Sequence, residues 1–196
     1  MTDLSAAIVR KCRESVSTSE TFFTAEAARI VACCQAMAAA FDAGGRLFAM
    51  GNGGSACDAQ HVVVEFMHPI IEKRPALPAL ALANDTALLT AVGNDQDFSL
   101  AFAEQLRLLA RPGDIVLGIS TSGKSANVNR ALGVARDLGL VTIGFTGRDG
   151  GRMAELCDHC FTVPSFSIHR IQETHATLLH VVWDLIHVIR GEEDVI

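Results

Sequence analysis

Basic charge in excess is the first thing this 196-residue chain lacks: 16 Lys and Arg stand against 22 Asp and Glu, a formal charge of −6. That balance argues against nucleic acid or an anionic membrane as the main partner, while leaving room for a local basic patch that holds a phosphate. No apolar run reaches the roughly 18 residues needed to span a bilayer. The first residues, MTDLSAAIVRKCRESV, are amphipathic and charged throughout, so no signal peptide is expected and the cytoplasm is the expected location. Repeats at a period of about 20–50 residues are absent, and no stretch reads as an interdomain linker. One domain over residues 1–196 is the simplest expectation.

The six cysteines also lack a partner pattern. A cytoplasmic chain keeps them reduced. Cys157 and Cys160 form a CxxC, but neither a second pair nor a thioredoxin-like setting accompanies them, so they read as structural. Cys12, Cys33 and Cys34 read as small apolar residues of helices. What the chain has in quantity is apolar surface. It is 49% hydrophobic, which excludes disorder, and its length suffices to bury about 70% of the unfolded surface.

The stretch LFAMGNGGSACDAQHVVVE, residues 47–65, organises the rest. Four apolar residues suited to a buried strand run into Gly51-Asn52-Gly53-Gly54-Ser55. A helical register follows, with His61 and Glu65 four residues apart on one face. Glycine permits a tight turn and close ligand approach. Ser55 is expected to cap the helix, whose free N–H groups seat an anion.

Before this stretch, residues 3–43 read as two helices. Leu4, Ile8 and Val16 lie on one face of the first, and Ala27, Ile30, Val31, Cys34, Met37, Ala38 and Phe41 follow the i, i+3, i+4 rule in the second. Gly44 and Gly45 end the second. The first has too little core of its own and is expected to pack on another subunit or on the last helix.

From residue 46 onward strands and helices alternate. Strands are expected at 47–50, 79–83, 115–119, 141–146 and 159–163. Helices are expected at 55–67, 85–92 (capped by Asp85), 99–109, 126–138 and 169–189. Short, wholly apolar strands between helices predict an α/β fold: a parallel sheet covered on both faces.

Two strand-to-helix turns carry small hydroxyl and glycine residues: GNGGS at 51–55 and STSGKS at 120–125. In a parallel sheet both open at the carboxyl edge, where ligands bind. Ser120, Thr121, Ser122 and Ser125, with a helix N-terminus, form a candidate phosphate cradle, although an ordinary capped turn looks the same in isolation. The GKS inside it does not meet P-loop spacing, which argues against nucleotide hydrolysis. His61 and Glu65 can be an acid–base pair, a metal-binding pair, or a helix-supporting pair. The last helix carries Gln172, His175, His180 and His187 among apolar residues, with Gln172 and His180 about two turns apart. Two helices with polar residues on apolar faces suggest an inward-looking polar site, or else satisfied core polar groups.

GNGGSACDAQHVVVE, RPALPALAL, AVGND, GDIVLGISTSGKSANV, FTGRDGG and RIQETH, in this order, resemble the sugar isomerase (SIS) domain. Within it they resemble the phosphoheptose isomerases, which convert sedoheptulose 7-phosphate to glycero-manno-heptose 7-phosphate. The resemblance covers nearly the whole chain. It implies a three-layer αβα sandwich with a five-stranded, flavodoxin-like parallel sheet over 44–196, and N-terminal helices over 1–43 used in a homotetramer.

It further implies that Ser120, Thr121, Ser122 and Ser125 hold the phosphate, and that Asn52, Gly53 and Ser55 line the sugar, with Asn94, Asp95 and Gln172 also contacting substrate. Glu65 would be the base that moves a proton between C1 and C2, and His180 its acid–base partner. Residues matching His61, Glu65, Gln172 and His180 bind zinc in some members. Aldose–ketose isomerisation needs such a carboxylate, a second proton carrier and stabilisation of the enediolate.

The chain departs from the family pattern in two places. Met67-His68-Pro69-Ile70-Ile71 stands where an arginine is common after the glutamate, and His169 where some members have an acid. Another phosphosugar is therefore the alternative substrate. A related SIS protein that binds the replication initiator is the alternative of a different class, but it lacks the residues matching Glu65 and His180. Phosphosugar-sensing regulators of the family usually carry an extra domain, for which this chain has no room.

Overall fold

The computed structural model describes residues 3–70 and 74–194. Where two helices are expected at the N-terminus, there is one, α1 (Leu4–Asp42), 39 residues long. Neither glycine nor proline interrupts 3–43, so the backbone has no reason to break there. The Asp3 side chain caps it, accepting from the Ser5 and Ala6 N–H groups at 3.0 and 3.2 Å. By length and composition alone α1 also meets the measure of a membrane span, with mean hydropathy 1.2 over 18 residues. From Phe22 onward one face of α1 is buried.

The remaining elements are β1 (Leu47–Gly51), α2 (Gly54–Met67), β2 (Ala79–Ala81), α3 (Thr86–Asp95), α4 (Ala101–Leu109), β3 (Ile115–Ser120), α5 (Ala126–Asp137), β4 (Val141–Gly147), β5 (His159–Val163) and α6 (Ile168–Ile189). Single 3₁₀ turns occupy Phe98–Leu100 and Gly151–Glu155. The helix expected at 99–109 thus starts as a 3₁₀ turn, initiated by Asp97, whose carboxylate accepts from the Ser99 N–H. Asp85 caps α3 through the Leu88 N–H at 2.9 Å, as expected, but α3 continues to Asp95. β2 stops at Ala81, two residues short of the expected end.

All five strands are parallel, in the order β2-β1-β3-β4-β5. This is the flavodoxin-like order, and its switch point lies between β1 and β3. The strands alternate between two cores. Leu47, Ala49, Ile115, Leu117, Ile143, Phe145 and Phe161 face α1, α2 and α6, while Phe48, Met50 and Val116 face α4 and α5. Each large side chain so buried contributes about 1.5–3 kcal/mol. The expected two-sided parallel sheet is the sheet observed.

Two polar groups lock α6 into the first layer. Arg74 is buried and bonds Asp184 at 2.5 Å and the Glu193 carbonyl at 2.9 Å, with its guanidinium 4.6 Å from the Trp183 ring centre. His175 is fully buried, and its ring Nε2–H donates to the Thr146 carbonyl at 3.0 Å. Burial lowers its pKa to about 4.

Breaking a buried ion pair strands the surviving charge, so Asp184→Ala is expected to cost about 3–5 kcal/mol, read from urea unfolding at fixed protein concentration. His175 gives a pH dependence of known sign. Its folded pKa lies below the unfolded value, so its contribution is complete above about pH 6.5 and declines as pH falls toward about 4. His175→Gln should flatten that part of the profile of unfolding midpoints against pH.

Candidate active site

The two glycine- and hydroxyl-rich loops leave adjacent strands at the switch point. After β1, Asn52 and Gly53 turn the chain into α2, with Gly53 at φ +56° as the N-cap residue. A side chain is strained in that region, so glycine belongs there. Ser55 is not the cap that was expected. It is buried within the first turn of α2, because the Asn52 and Gly53 carbonyls already accept the N–H groups of Ser55, Ala56 and Cys57.

After β3, the Ser120 and Ser125 hydroxyls bond each other at 2.8 Å. Gly123 turns at φ +64°, where a Cβ would strike the Gly150 carbonyl. The Ser122 hydroxyl accepts from the Lys124 N–H at 3.2 Å. Ser125 precedes α5 without bonding the helix through its side chain, which leaves first-turn N–H groups for an anion. Thr121 and Ser122 are partly exposed beside it.

Sequence reasoning missed the residue that joins the loops. Asn127, buried in the first turn of α5, pairs with Asn52 through two reciprocal amide bonds of 2.9 and 2.8 Å. Both amides are thereby oriented and the loops fixed against each other. Two asparagines 75 positions apart carry no local signal of pairing.

Behind the first loop, α2 and α6 run side by side in the same direction. Gln172 lies against Gly54, where a Cβ would clash with its amide nitrogen. About two turns along, His180 meets His61. Their Nε2 atoms are 3.2 Å apart, and their rings meet edge to face at 4.8 Å. His61 Nε2 lies 3.3 Å from Glu65 Oε1. One donor atom from each of His61, Glu65 and His180 falls within 4.8 Å of the other two. Glu65 and His61 are partly buried and His180 is exposed.

Two facing ring nitrogens cannot both carry a proton toward each other. Either one donates to the other, or both lone pairs converge on a cation. Two imidazole nitrogens and a carboxylate oxygen suit a divalent ion such as zinc, with a further position left for substrate or Gln172. A proton carrier pair is the other use of the same atoms.

Not every expected residue joins this group. Asn94 and Asp95 lie in the exposed last turn of α3, in the opposite layer, and bond each other at 2.7 Å. His175 and His187 share α6 with His180 but are fully buried on its core side. His187 faces Glu192 at 3.3 Å, and burial lowers its pKa. Asp58, one turn before His61, was not anticipated. It is partly buried, one carboxylate oxygen has no partner among the described residues, and burial pushes its carboxyl up while His61 opposes the shift. Met67 and Ile70 are exposed at the end of α2, as is His169 at the start of α6, whereas Ile71 lies outside the described residues.

The SIS domain family is matched over residues 12–147. A phosphoheptose isomerase of Desulfovibrio desulfuricans is 48% identical over 178 residues, 91% of this chain and 85% of that protein. Among solved structures, the phosphoheptose isomerase of Francisella tularensis superposes with a TM-score of 0.91 at 36% identity, covering 96% of this chain and 100% of that one. The phosphoheptose isomerase of Neisseria gonorrhoeae superposes with a TM-score of 0.87 at 38% identity, covering 93% and 98%. Fold, layered site and relatives agree: the chain belongs to the SIS domain family and, within it, to the phosphoheptose isomerases.

Proposed function

We propose that this chain interconverts sedoheptulose 7-phosphate and D-glycero-D-manno-heptose 7-phosphate, an aldose–ketose isomerisation through an enediol. The observation that carries the reading is the convergence of Glu65, His61 and His180 between α2 and α6, on the sheet edge that also bears the serine loop. Ser120, Thr121, Ser122 and Ser125 hold the phosphate with the N-terminus of α5. Asn52, Gly53, Ser55 and Gln172 line the path from there to the reacting carbons. Binding at the phosphate positions C1 and C2 without touching them.

In the ketose-to-aldose direction, the Glu65 carboxylate takes a proton from C1. The C1–H electron pair becomes the C1=C2 bond of the enediol, and the C2 carbonyl oxygen gains a proton. Return of the carbon-bound proton to C2, with loss of the O1 proton, leaves the aldehyde at C1. His180 carries the proton between O1 and O2. Zinc held by His61, Glu65, Gln172 and His180 would polarise the carbonyl and its neighbouring hydroxyl.

Exposed Leu4, Ile8 and Val16 on the free end of α1 support a homotetramer built on that helix. Asn94 and Asp95 then serve substrate bound to a neighbouring copy. The cytoplasm is where such an enzyme finds its phosphosugar.

Glu65→Gln and His180→Gln are each expected to lower turnover by at least about 10²-fold, the scale of a lost acid–base group, with circular dichroism and oligomer size unchanged. Full turnover in both variants would refute the assignment of roles. Chelation should lower activity and zinc should restore it, while a metal-free preparation of full activity would remove zinc from the proposal. Exposed Met67, His68 and Ile70 stand where an arginine is common in relatives, which favours testing other chain lengths. A turnover screen of phosphosugars from five to seven carbons should give the highest kcat/KM for the heptose.

A further inference from the structure

On the outer face of α5 lies a groove of about 640 Å³ that none of the site residues above lines. Its walls carry Lys124, Arg130 and Arg152, with Asp137 as the single carboxylate among the lining residues. In a chain of net charge −6 such a concentration of cations is unexpected. Lys124 pairs with Asp149 on the rim at 3.0 Å. Among the described residues, the guanidinium groups of Arg130 and Arg152 make neither a close ion pair nor a hydrogen bond, although the Asp97 carboxylate lies near enough to feel the charge of Arg130, and both side chains are exposed.

The groove has a second unusual feature. Gly133 sits in the interior of α5, facing the groove, and a Cβ built there meets nothing within 4 Å. Glycine inside a helix is unfavourable relative to alanine. No neighbour in the fold requires the smaller residue, so what the glycine provides is open space. The volume is that of a small-molecule site, about 300–1,000 Å³. Two guanidinium forks with unused hydrogen-bond donors match phosphate oxygens in geometry and charge.

We propose that this groove is a second anion site, which takes a phosphorylated small molecule through Arg130 and Arg152 with its uncharged part over Gly133. It lies directly behind the serine loop: the Arg152 N–H and the Asn129 side-chain amide both donate to the Gly123 carbonyl, each at 3.1 Å. The groove's occupant therefore sits on groups that hold the loop, yet outside it. The inference goes beyond the isomerase reading, on which only the serine-loop site and the turnover readout of its test rest.

Pyrophosphate is the probe, titrated calorimetrically into the whole protein at low salt. Two sites per chain are expected. Arg130→Gln/Arg152→Gln should weaken one of them by at least about tenfold, the scale of lost charge-assisted bonds, and leave phosphosugar turnover intact. Gly133→Leu keeps every charge, favours the helix and fills the space, and it should remove the same site. Ser120→Ala/Ser125→Ala should remove only the other. A single site abolished by the serine pair, or two sites indifferent to both the arginine pair and Gly133→Leu, would overturn the proposal.

Discussion

A carboxylate and two imidazoles meet because α2 and α6 lie side by side in one layer, and the rest of the candidate site is arranged around that contact. The approach is close at its loop end, where Gly54 leaves no room for a Cβ beside Gln172. The sheet enforces the same closeness, since a Cβ on Gly147 of β4 would lie 2.5 Å from Ile171. With the first turns of both helices so placed, residues one to two turns onward are bound to face each other. His61 and His180 do so at 3.2 Å. A helix displaced by even one side-chain diameter would leave an exposed i,i+4 pair of no particular use.

The switch point of the sheet divides the work between layers. β1 delivers its loop to α2, on the layer where His61, Glu65 and His180 converge, and β3 delivers its loop to α5, on the other. In the proposed reaction the phosphorylated substrate bridges the two, with its anionic end at one helix N-terminus and its reacting carbons beyond the other. The reciprocal amides of Asn52 and Asn127 hold this span at constant length. Such a reciprocal pair orients both amides, which favours a rigid cradle over one that orders only on binding.

The far end of α6 has a different role. Arg74 draws together Asp184, the Glu193 carbonyl and the Trp183 ring, and Arg190 reaches Asp42 at the end of α1 at 3.0 Å. These contacts tie the segment after α2 and both long helices into one unit. Polar groups are costly to bury, and here they sit on the side of α6 that faces the core, whereas His180 faces outward. One helix therefore carries histidines of opposite character: burial lowers the pKa values of His175 and His187, while His180 is left at the surface to meet His61.

The sequence by itself determined the alternation of elements, the parallel two-sided sheet, the two ligand-edge loops and the pairing of His61 with Glu65. All of these are local: runs of apolar residues, glycine and proline punctuation, and spacing along one helix. It also carried the family resemblance, because that lies in ordered motifs. Apart from that resemblance, only tertiary structure decided which α6 histidine meets His61, since four of them share the helix and its rotation against the sheet selects among them. It alone paired Asn52 with Asn127, placed Asn94 and Asp95 in the opposite layer, and buried Ser55 where a cap was expected. Those outcomes depend on backbone groups and neighbours brought together from distant positions, whose competition for hydrogen bonds no local pattern records.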